Sequence, residues 1–515
     1  MVQRASLLLL VFVAGTASLA TEFGASRLLA PYFGDSLYVW GVLIGLILIY
    51  LSVGYVIGGR IADRWPRRQV LFQLTGVAGL WIAIIPLVSY PILLAALQGF
   101  ATVSAGLVLS TLLSVVLLFA VPVVLLGCVS PFAIRLLLRD VESGGNTAGF
   151  VYALSTSGSI VGTFLPVFWL IPTFGTRATL IGFGVVLLLA SAIGLVSAPR
   201  RSIIAVVLAA LVVVAALLTR HGIKPPEQGT LLYEQESAYN YIQVVRVGSE
   251  VQLILNEGQA VHSIYDPTTL TTRGYWDDML LADNFRPAQR AMPVPRKVAI
   301  LGLAGGTVAR QYVAGFGRGV QITGVELDPA VIAVARRYFH LDEAHAKVVV
   351  QDARYWLATR PPDDKYDVIM VDAYRQPYIP FHLTTEQFFE LARRHLTPGG
   401  VVVVNVGRTA TDYRLVDAIA STMRPVYDNV YLLDPPQYQN TLVYGTTQPT
   451  TMSDVDHNIG LAHGGLLGKV AADVLAQGTI RPSPYRSKPF TDDVAPVENL
   501  IDSIIFDVAT GREQE

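Results

Sequence analysis

Long apolar runs fill the first 220 positions of the chain, whereas later positions alternate between apolar and polar residues over short distances. A helix that spans a membrane needs about 20 predominantly apolar residues. Seven runs have about this length, and they lie near 5–29, 38–60, 70–90, 106–136, 149–171, 177–197 and 202–219. The first part of the chain therefore predicts a multi-pass α-helical membrane domain of about seven helices.

The shorter runs after position 220 predict two kinds of sheet. Residues 231–263 contain alternating segments that are typical of a small antiparallel β-subdomain. From about 296, strands and helices alternate, which favours a doubly wound α/β domain. Its parallel strands are predicted at 297–302, 321–326, 347–351, 367–372 and 400–405, its helices include 328–339 and 384–396, and antiparallel edge strands are expected near 428–434 and 440–445.

The end of the chain shows little pattern. Residues 450–515 are therefore expected to wrap around the α/β domain. The predicted domains are 1–220 for the membrane helices, 221–290 for the β-subdomain and 291–515 for the α/β domain.

Charge separates the same two parts of the chain and orients the first. Residues 1–220 carry 12 arginines, no lysine and five acids, whereas the remainder carries 26 basic and 34 acidic residues. The arginines gather in loops on one side of the predicted helices, above all in GGRIADRWPRR at 58–68. Positively charged loops face the cytoplasm, so the sequence predicts a cell-membrane protein with a cytoplasmic N-terminus. Seven crossings then favour an extracytoplasmic C-terminal domain, and a miscounted helix would reverse that side.

Polar and small residues within the membrane part have two further implications. Glu22 and Arg27 lie within or at the edge of the first run, where a charge is costly. They form either a buried ion pair or interfacial anchor, or part of a substrate or ion path. The small residues of 155–162 (STSGSIVG) predict a face on which two helices pack closely.

The composition argues against a disulfide, a cysteine metal site and a nucleic-acid partner. The only cysteine, Cys128, lies in an apolar run, so the sequence predicts no disulfide and no CxxC metal site. No long basic run indicates a nucleic-acid partner.

A nucleoside-binding pocket is predicted where the first parallel strand ends. Gly302, Gly305 and Gly306 follow that strand, and glycines there allow a ligand to approach the backbone closely. Glu326 ends the second strand, 24 positions after Gly302. A carboxylate at this place can accept hydrogen bonds from both ribose hydroxyls. The turn and the acid together are much more specific than a glycine turn alone.

The third and fourth strands also end in acids. Asp352 closes the third strand, and either its side chain or the neighbouring amide of Ala353 can meet an adenine amino group. Asp372 closes the fourth strand, at the edge where open α/β sheets bind their ligands. It is placed to act as a general base on an incoming nucleophile. The alternative is an aspartate that caps a helix.

At these residues the chain resembles the spermidine synthase (polyamine aminopropyltransferase) family. It resembles more closely the bacterial proteins that join a major-facilitator-like membrane half to a spermidine-synthase-like half. The likeness covers nearly the whole chain and rests on RLLAPYFG (27–34), the DRWPRR loop, VSPFAIRL (129–136), YALSTSGSIVGTFLP (152–166), GQAVHS (258–263), the GLAGG turn, VELDP (325–329), IPFHLTTEQFF (379–389) and TDDVAPVE (491–498). It implies a Rossmann-like, S-adenosylmethionine-methyltransferase-like domain. It also implies decarboxylated S-adenosylmethionine or S-adenosylmethionine as co-substrate, with no metal.

The resemblance also implies roles for individual residues. Asp372 matches the catalytic acid of the family. The donor-binding residues of the family match Gln243, Gly302, Gly305, Gly306, Glu326 and Asp352, all of which are present.

The amine-binding positions depart from the family pattern. Tyr275, Trp276 and Asp277 replace its Tyr-His-Glu segment, Thr307 stands for an Asp of the glycine turn, and Arg375 stands for the second Asp of a D-x-x-D motif. At about 4 Å and an effective dielectric near 20, one such exchange of sign changes the interaction with a cation by several kcal/mol. Weak use of putrescine is therefore expected, unless other acids compensate; the candidates are Asp277, Asp278 and Asp492.

Three functions remain open from sequence. The first is alkylation of an amine by a decarboxylated S-adenosylmethionine-type donor, with Asp372 as general base. The second is methyl transfer from S-adenosylmethionine, and the third is a non-catalytic nucleoside-binding domain that regulates the membrane half. In each case the expected partners are a small molecule and the lipid bilayer, and a homodimer is left open. A cytosolic donor conflicts with an extracytoplasmic domain, so the side of the membrane is also left open.

Overall fold

The computed structural model of the protein describes residues 2–33, 37–99, 106–138, 140, 143–218, 223–256, 260–374, 378–435, 438–477 and 480–510. The chain divides into two compact units. One consists of Met1–Pro225 with Gln235–Tyr241, and the other consists of Pro226–Glu234 with Ile242–Glu515. The predicted three-domain boundaries stay a prediction.

The first unit is helical. Its helices are α1 (Val2–Phe33), α2 (Leu37–Arg64), α3 (Arg68–Gly99), α4 (Gly106–Gly127), α5 (Val129–Leu137), α6 (Gly144–Leu165), α7 (Ile171–Gly194) and α8 (Pro199–Leu218). Within the described residues, six helices are long and apolar enough to cross a membrane, and one of them runs through α6 and α7 from Gly144 to Gly194. This supports a membrane protein, whereas insertion and the number of crossings stay predictions.

Gly175 divides that longest helix. The segment has 51 residues, and a straight helix of this length would measure about 77 Å, against about 30 Å for the hydrocarbon core of a bilayer. Gly175 has φ 82° and ψ 165°, which interrupts the helix. After the break, the carboxylate of Glu236 accepts hydrogen bonds from the backbone nitrogen (2.6 Å) and hydroxyl (2.5 Å) of Thr176. The break falls between the predicted runs 149–171 and 177–197. Because this one helix contains two of the predicted runs, the six long helices cover the same segments as the seven runs.

Small residues let α1 and α6 pack in backbone contact. A Cβ added at Gly15 would collide with the backbone of Ser155, and one added at Gly162 would collide with the backbone of Thr16. The predicted packing face at 155–162 is thus confirmed.

Arg27 is one of the two charged residues singled out in the first apolar run. Its side chain donates hydrogen bonds to the carbonyls of Ser237 and Ala238 within the same unit. It therefore anchors a loop.

The second unit contains two sheets, apart from the end of β1 and the first residue of β2, which belong to the first unit. The smaller has the order β1 (Thr230–Glu236), β2 (Tyr241–Val247), β3 (Glu250–Leu255) and β4 (Val261–Tyr265), with antiparallel pairing of β2 with β3 and of β3 with β4. The antiparallel sheet predicted from 231–263 is confirmed.

The larger sheet is Rossmann-like. The elements that follow β4 are α9 (Tyr275–Asp278), β5 (Lys297–Leu301), α10 (Thr307–Phe316), β6 (Gln321–Glu326), α11 (Pro329–Tyr338), β7 (Lys347–Val350), α12 (Ala353–Ala358), β8 (Tyr366–Val371), α13 (Glu386–Arg394), β9 (Leu396–Gly407), α14 (Arg414–Met423), β10 (Asn429–Leu433), β11 (Asn440–Thr446), α15 (Met452–Gly460), α16 (Gly465–Gln477), β12 (Ile480–Pro482) and α17 (Val497–Thr510). The strand order is β12-β10-β11-β9-β8-β5-β6-β7. Strands β5 to β9 are parallel, and β10 to β12 pair antiparallel beside them. This is the arrangement of S-adenosylmethionine-methyltransferase-type sheets.

The sequence prediction for this sheet holds at every parallel strand. The described residues after position 450 form α15, α16, α17 and the short strand β12, and the expected wrapping of the domain by this segment stays a prediction. Helix α15 begins at a capping box, in which Thr451 and Asp454 bond to each other's backbone nitrogens. These helices are short, and glycines and prolines separate them, so their apolar stripes are too brief to read from sequence.

Candidate active site

The candidate site lies at the carboxyl ends of β5 and β8, where the strand order reverses and open α/β sheets hold their ligands. Leu301 pairs with Val371 at the end of the two strands. The backbone nitrogen of Asp372 donates to the carbonyl of Leu301 at 2.8 Å. Gly302 has φ +94°, and a Cβ there would collide with the backbone of Asp372. The close approach therefore requires glycine at 302.

The glycine turn packs against β4 and leads directly into α10. Gly306 has φ +82° and precedes α10. The backbone nitrogen of Gly305 donates to Oγ of Ser263 at 2.8 Å, and a Cβ at Gly305 would come within 2.7 Å of that side chain. The turn is thus a closely packed loop between β5 and the strand β4.

Glu326 closes this loop from β6. Its carboxylate accepts hydrogen bonds from the backbone nitrogens of Ala304 (3.0 Å) and Asp328 (3.1 Å). Burial raises the pKa of Glu326, and these two amide bonds oppose the rise. The structure brings Glu326 and the glycine turn together, as the sequence spacing predicts.

Asp352 follows β7 and caps α12. It accepts a hydrogen bond from the backbone nitrogen of Tyr355 at 2.8 Å, and its other oxygen lies 3.0 Å from Nε2 of His382. The His382 hydrogen bond lowers the pKa of Asp352. Ala353 is the first residue of α12 and is buried. His382 was not singled out in the sequence, because it lies in a short helical turn (Phe381–Leu383) 30 positions from its partner.

Asp372 is held by side chains from two other segments. Nδ2 of Asn405 donates to its Oδ1 at 2.8 Å, and the hydroxyl of Tyr275 also bonds to it. Burial raises the pKa of Asp372 to about 7, although both hydrogen bonds oppose the rise. Within the described part of the chain, the next helical turn after Asp372 begins only at Phe381. The helix-capping alternative is therefore wrong for Asp372, whereas Asp352 does cap a helix.

Aromatic side chains line the same region. The ring of Tyr275 lies 4.3 Å from that of Trp276, and Tyr438 meets both rings edge-on. The hydroxyl of Tyr374 donates to the carbonyl of Asn405 at 3.0 Å and accepts from the nitrogen of Gly407 at 2.7 Å. Asn405, Tyr374 and Tyr438 were missed by sequence reasoning, although Asn405 carries a readable signal as a polar residue within the long apolar strand β9.

The predicted amine-binding positions do not come together as expected. The carboxylate of Asp277 accepts from the backbone nitrogens of Thr272 and Arg273 and from Nε2 of Gln311, so it is a buried structural anchor. Trp276 is 1% exposed and belongs to the core. Arg375 lies outside the described residues.

Two more of the positions that the sequence analysis considered for amine binding, Thr307 and Asp492, form contacts within the protein. The hydroxyl of Thr307 bonds to the backbone nitrogen (2.9 Å) and carbonyl (3.0 Å) of Ile264 in β4, and the residue is buried. The structure thus gives the Thr307 hydroxyl a contact to β4, and the interpretation of Thr307 as the place of a lost acceptor carboxylate stays a prediction. Asp492 forms a paired contact with Arg354 at 2.8 and 2.6 Å, so it too is already neutralised. Gln243 is buried on β2, opposite Ile254.

Comparison with known proteins decides the family. The spermine/spermidine synthase domain matches residues 287–457. A polyamine aminopropyltransferase of Vibrio vulnificus is 30% identical over 225 residues, which cover 41% of this chain and 69% of that protein. The chain belongs to the spermine/spermidine synthase family. Relatives that carry these names are transferases. The predicted spermidine synthase family is thereby confirmed, whereas the major-facilitator-like character of the helical part stays a prediction.

Two other family members show how far the likeness extends. A probable polyamine aminopropyl transferase of Bifidobacterium longum is 38% identical over 204 residues, covering 39% of this chain and 43% of its own length. Polyamine aminopropyltransferase 1 of Streptomyces coelicolor is 26% identical over 470 residues, covering 85% of this chain and 82% of its own length. The second match is longer than the second unit alone, so it extends into the helical part.

Proposed function

We propose that this family member is a membrane-embedded transferase that alkylates an amine with a decarboxylated S-adenosylmethionine-type donor. The observation that carries the proposal is the carboxyl group of Asp372. It lies beside the glycine turn, is bonded to Asn405 and Tyr275, and has a pKa raised by burial to about 7. A base whose pKa is near the working pH is suited to accept a proton during the reaction.

The donor would lie along the carboxyl edge of the sheet. Its adenine would meet Asp352 or the amide of Ala353, and its ribose would meet Glu326. The glycine turn, together with Gln243 of the smaller sheet, would hold the part that contains the sulfur. The order β5-β6-β7 supports this direction, because it places the glycine turn, Glu326 and Asp352 in sequence along one edge.

The reaction proceeds by displacement at carbon. Asp372 takes a proton from the acceptor ammonium, whose usual pKa is near that of lysine, about 10. The freed nitrogen lone pair attacks the methylene next to the sulfonium, so a C–N bond forms and the C–S bond breaks. The electron pair of that bond returns to sulfur, and neutral methylthioadenosine leaves. Hydrogen bonds to Asp372 keep its oxygens oriented toward the acceptor.

The acceptor is proposed to be an amine without a second ammonium group close to the first. Asp277 and Asp492 are both occupied by protein donors, so they offer no free carboxylate to a distal ammonium. Asp278 is buried, which raises its pKa to about 7 and weakens it as a fixed negative charge. Arg375, as read from the sequence, adds a positive charge to the segment after β8. Both features disfavour putrescine and favour an acceptor whose far end is neutral or anionic.

The membrane half is proposed to cross seven times, with the N-terminus in the cytoplasm. The break at Gly175 supports two crossings within Gly144–Gly194. Seven crossings would put the transferase unit outside, where it would act on an exported donor.

Donor titration and product analysis test the proposed activity. Detergent-purified protein is titrated with decarboxylated S-adenosylmethionine, S-adenosylmethionine and methylthioadenosine by calorimetry, and methylthioadenosine release is then measured with a panel of mono- and diamines. The proposal expects binding of the decarboxylated donor and of methylthioadenosine, with release dependent on a monoamine. Preference for S-adenosylmethionine with methylated product would assign methyl transfer instead, and no binding of any of the three would overturn the proposal.

A further inference from the structure

His262 occupies an irregular position in β4. Strand β3 pairs Leu253 with Ser263 but Ile254 with Val261, so the register shifts and His262 is the extra residue of a β-bulge. Bulges of this kind re-aim a side chain and occur often next to active sites. The direction of the His262 side chain is therefore set by the bulge and not by the regular alternation of the strand.

The two ring nitrogens of His262 are buried and unsatisfied, although the residue as a whole is only half-buried. Both ring nitrogens are buried, and neither has a hydrogen-bond partner of normal geometry in the described chain. Burial lowers the pKa of His262 to about 4, with a small opposing effect from the backbone of Ala260. The ring is thus neutral near pH 7 and keeps one nitrogen that can only accept a hydrogen bond. Buried polar groups without a partner are rare in folded proteins and call for an explanation.

The residues that follow His262 bind the glycine turn. Ser263 accepts a hydrogen bond from the nitrogen of Gly305, and Ile264 exchanges two hydrogen bonds with Thr307. Strand β4 is therefore fixed to the loop after β5. A nucleoside that meets Asp352 with its adenine and Glu326 with its ribose directs its sulfur and alkyl arm toward this loop.

We propose that His262 accepts a hydrogen bond from the ammonium group at the end of the donor's alkyl arm. This rests on the proposed function, because it needs the donor to lie along β5, β6 and β7. A neutral imidazole satisfies the ammonium without repelling the sulfonium charge on the same molecule. A neutral imidazole attracts the ammonium group less strongly than a carboxylate would. The arm is therefore positioned by the geometry of the hydrogen bond more than by charge.

The test compares two ligands that differ only in the arm. Full-length protein in detergent is titrated by calorimetry with decarboxylated S-adenosylmethionine, which has the arm, and with methylthioadenosine, which lacks it. For His262→Ala we expect the dissociation constant of the first to rise about tenfold, the scale of one lost hydrogen bond to a charged group. Affinity for methylthioadenosine should stay within about twofold, which also shows that the variant is folded.

Two further variants sharpen the comparison. His262→Gln keeps an acceptor atom and should recover part of the lost affinity. His463→Ala removes a histidine that is exposed on the same unit and should leave both affinities unchanged. Equal losses for both ligands in His262→Ala, or no loss for either, would overturn the role of His262. Failure of the unmodified protein to bind methylthioadenosine would instead count against the proposed function.

Discussion

Nδ2 of Asn405 donates a hydrogen bond to Oδ1 of Asp372 across 2.8 Å, joining the ends of β9 and β8. Asn405 is itself held by Nδ2 of Asn440, which donates to its side-chain oxygen at 2.9 Å. The second contact fixes the amide so that nitrogen, not oxygen, faces the carboxylate. The bond stabilises the ionised form of Asp372 and works against the burial that raises its pKa.

Asn405→Ala should therefore shift the pH dependence of activity. Loss of the donor removes an interaction that favours the carboxylate, so the pKa of Asp372 rises further above about 7. The acidic limb of the kcat/KM profile, below which the base is protonated, should move to higher pH by about one unit. Asn429→Ala, at the start of β10, is the matched control and should leave the limb in place. An unmoved limb in Asn405→Ala would show that another group controls it.

The raised pKa of Asp372 also predicts a stability cost. Well below pH 4 the carboxyl group is protonated in both the folded and the unfolded protein. As pH rises from about 4 to about 7, the unfolded chain loses this proton while the folded site resists, so folding stability falls and then levels off. Asp372→Asn removes the titration. The unfolding temperature of the variant minus that of the unmodified protein should thus be larger at pH 8 than at pH 4.5. A difference that does not change with pH would contradict the assigned pKa.

Glu326 is expected to carry ribose recognition. Glu326→Ala should weaken methylthioadenosine binding at least about tenfold, since a hydrogen bond to a charged group contributes about 1.5–3 kcal/mol. Glu326→Gln keeps one acceptor oxygen and should lose less. Calorimetry with methylthioadenosine measures both variants. Affinity that is the same in Glu326→Ala and the unmodified protein would remove the nucleoside assignment at this edge of the sheet.

The parts of the site that could be predicted from sequence are those fixed by position along one strand. Glu326 and Asp372 end apolar runs, and parallel strands bring such ends to one edge regardless of the intervening sequence. Asn405 and Tyr438 belong to segments more than 30 positions beyond Asp372, and their contact with the site depends on strand order and side-chain rotamers. The bonds of Thr307 to Ile264 likewise depend on how β4 lies beside the glycine turn, which the spacing of residues along the chain does not show.

The orientation of the membrane half leads to a labelling prediction. Trp65 lies in the arginine-rich loop between α2 and α3 and is exposed, whereas the native Cys128 is buried. In intact cells, Trp65→Cys should resist a membrane-impermeant maleimide, because positive loops stay in the cytoplasm. Ser453→Cys, at an exposed position of the second unit, should react if the helices cross seven times. Rapid labelling at position 65 would reverse the orientation, and protection at both positions would point to an even number of crossings.

Turnover by Asp372→Asn tests the central claim most directly. The substitution keeps the size of the side chain and an oxygen for Asn405, but it removes the base. With decarboxylated S-adenosylmethionine and an amine that the unmodified protein uses, release of methylthioadenosine should fall by at least about 100-fold, the usual contribution of a general base. Methylthioadenosine binding should persist, and Asp428→Asn, which loses only an exposed contact to Arg393, should be unaffected. Release by Asp372→Asn within a few-fold of the unmodified rate would contradict the account.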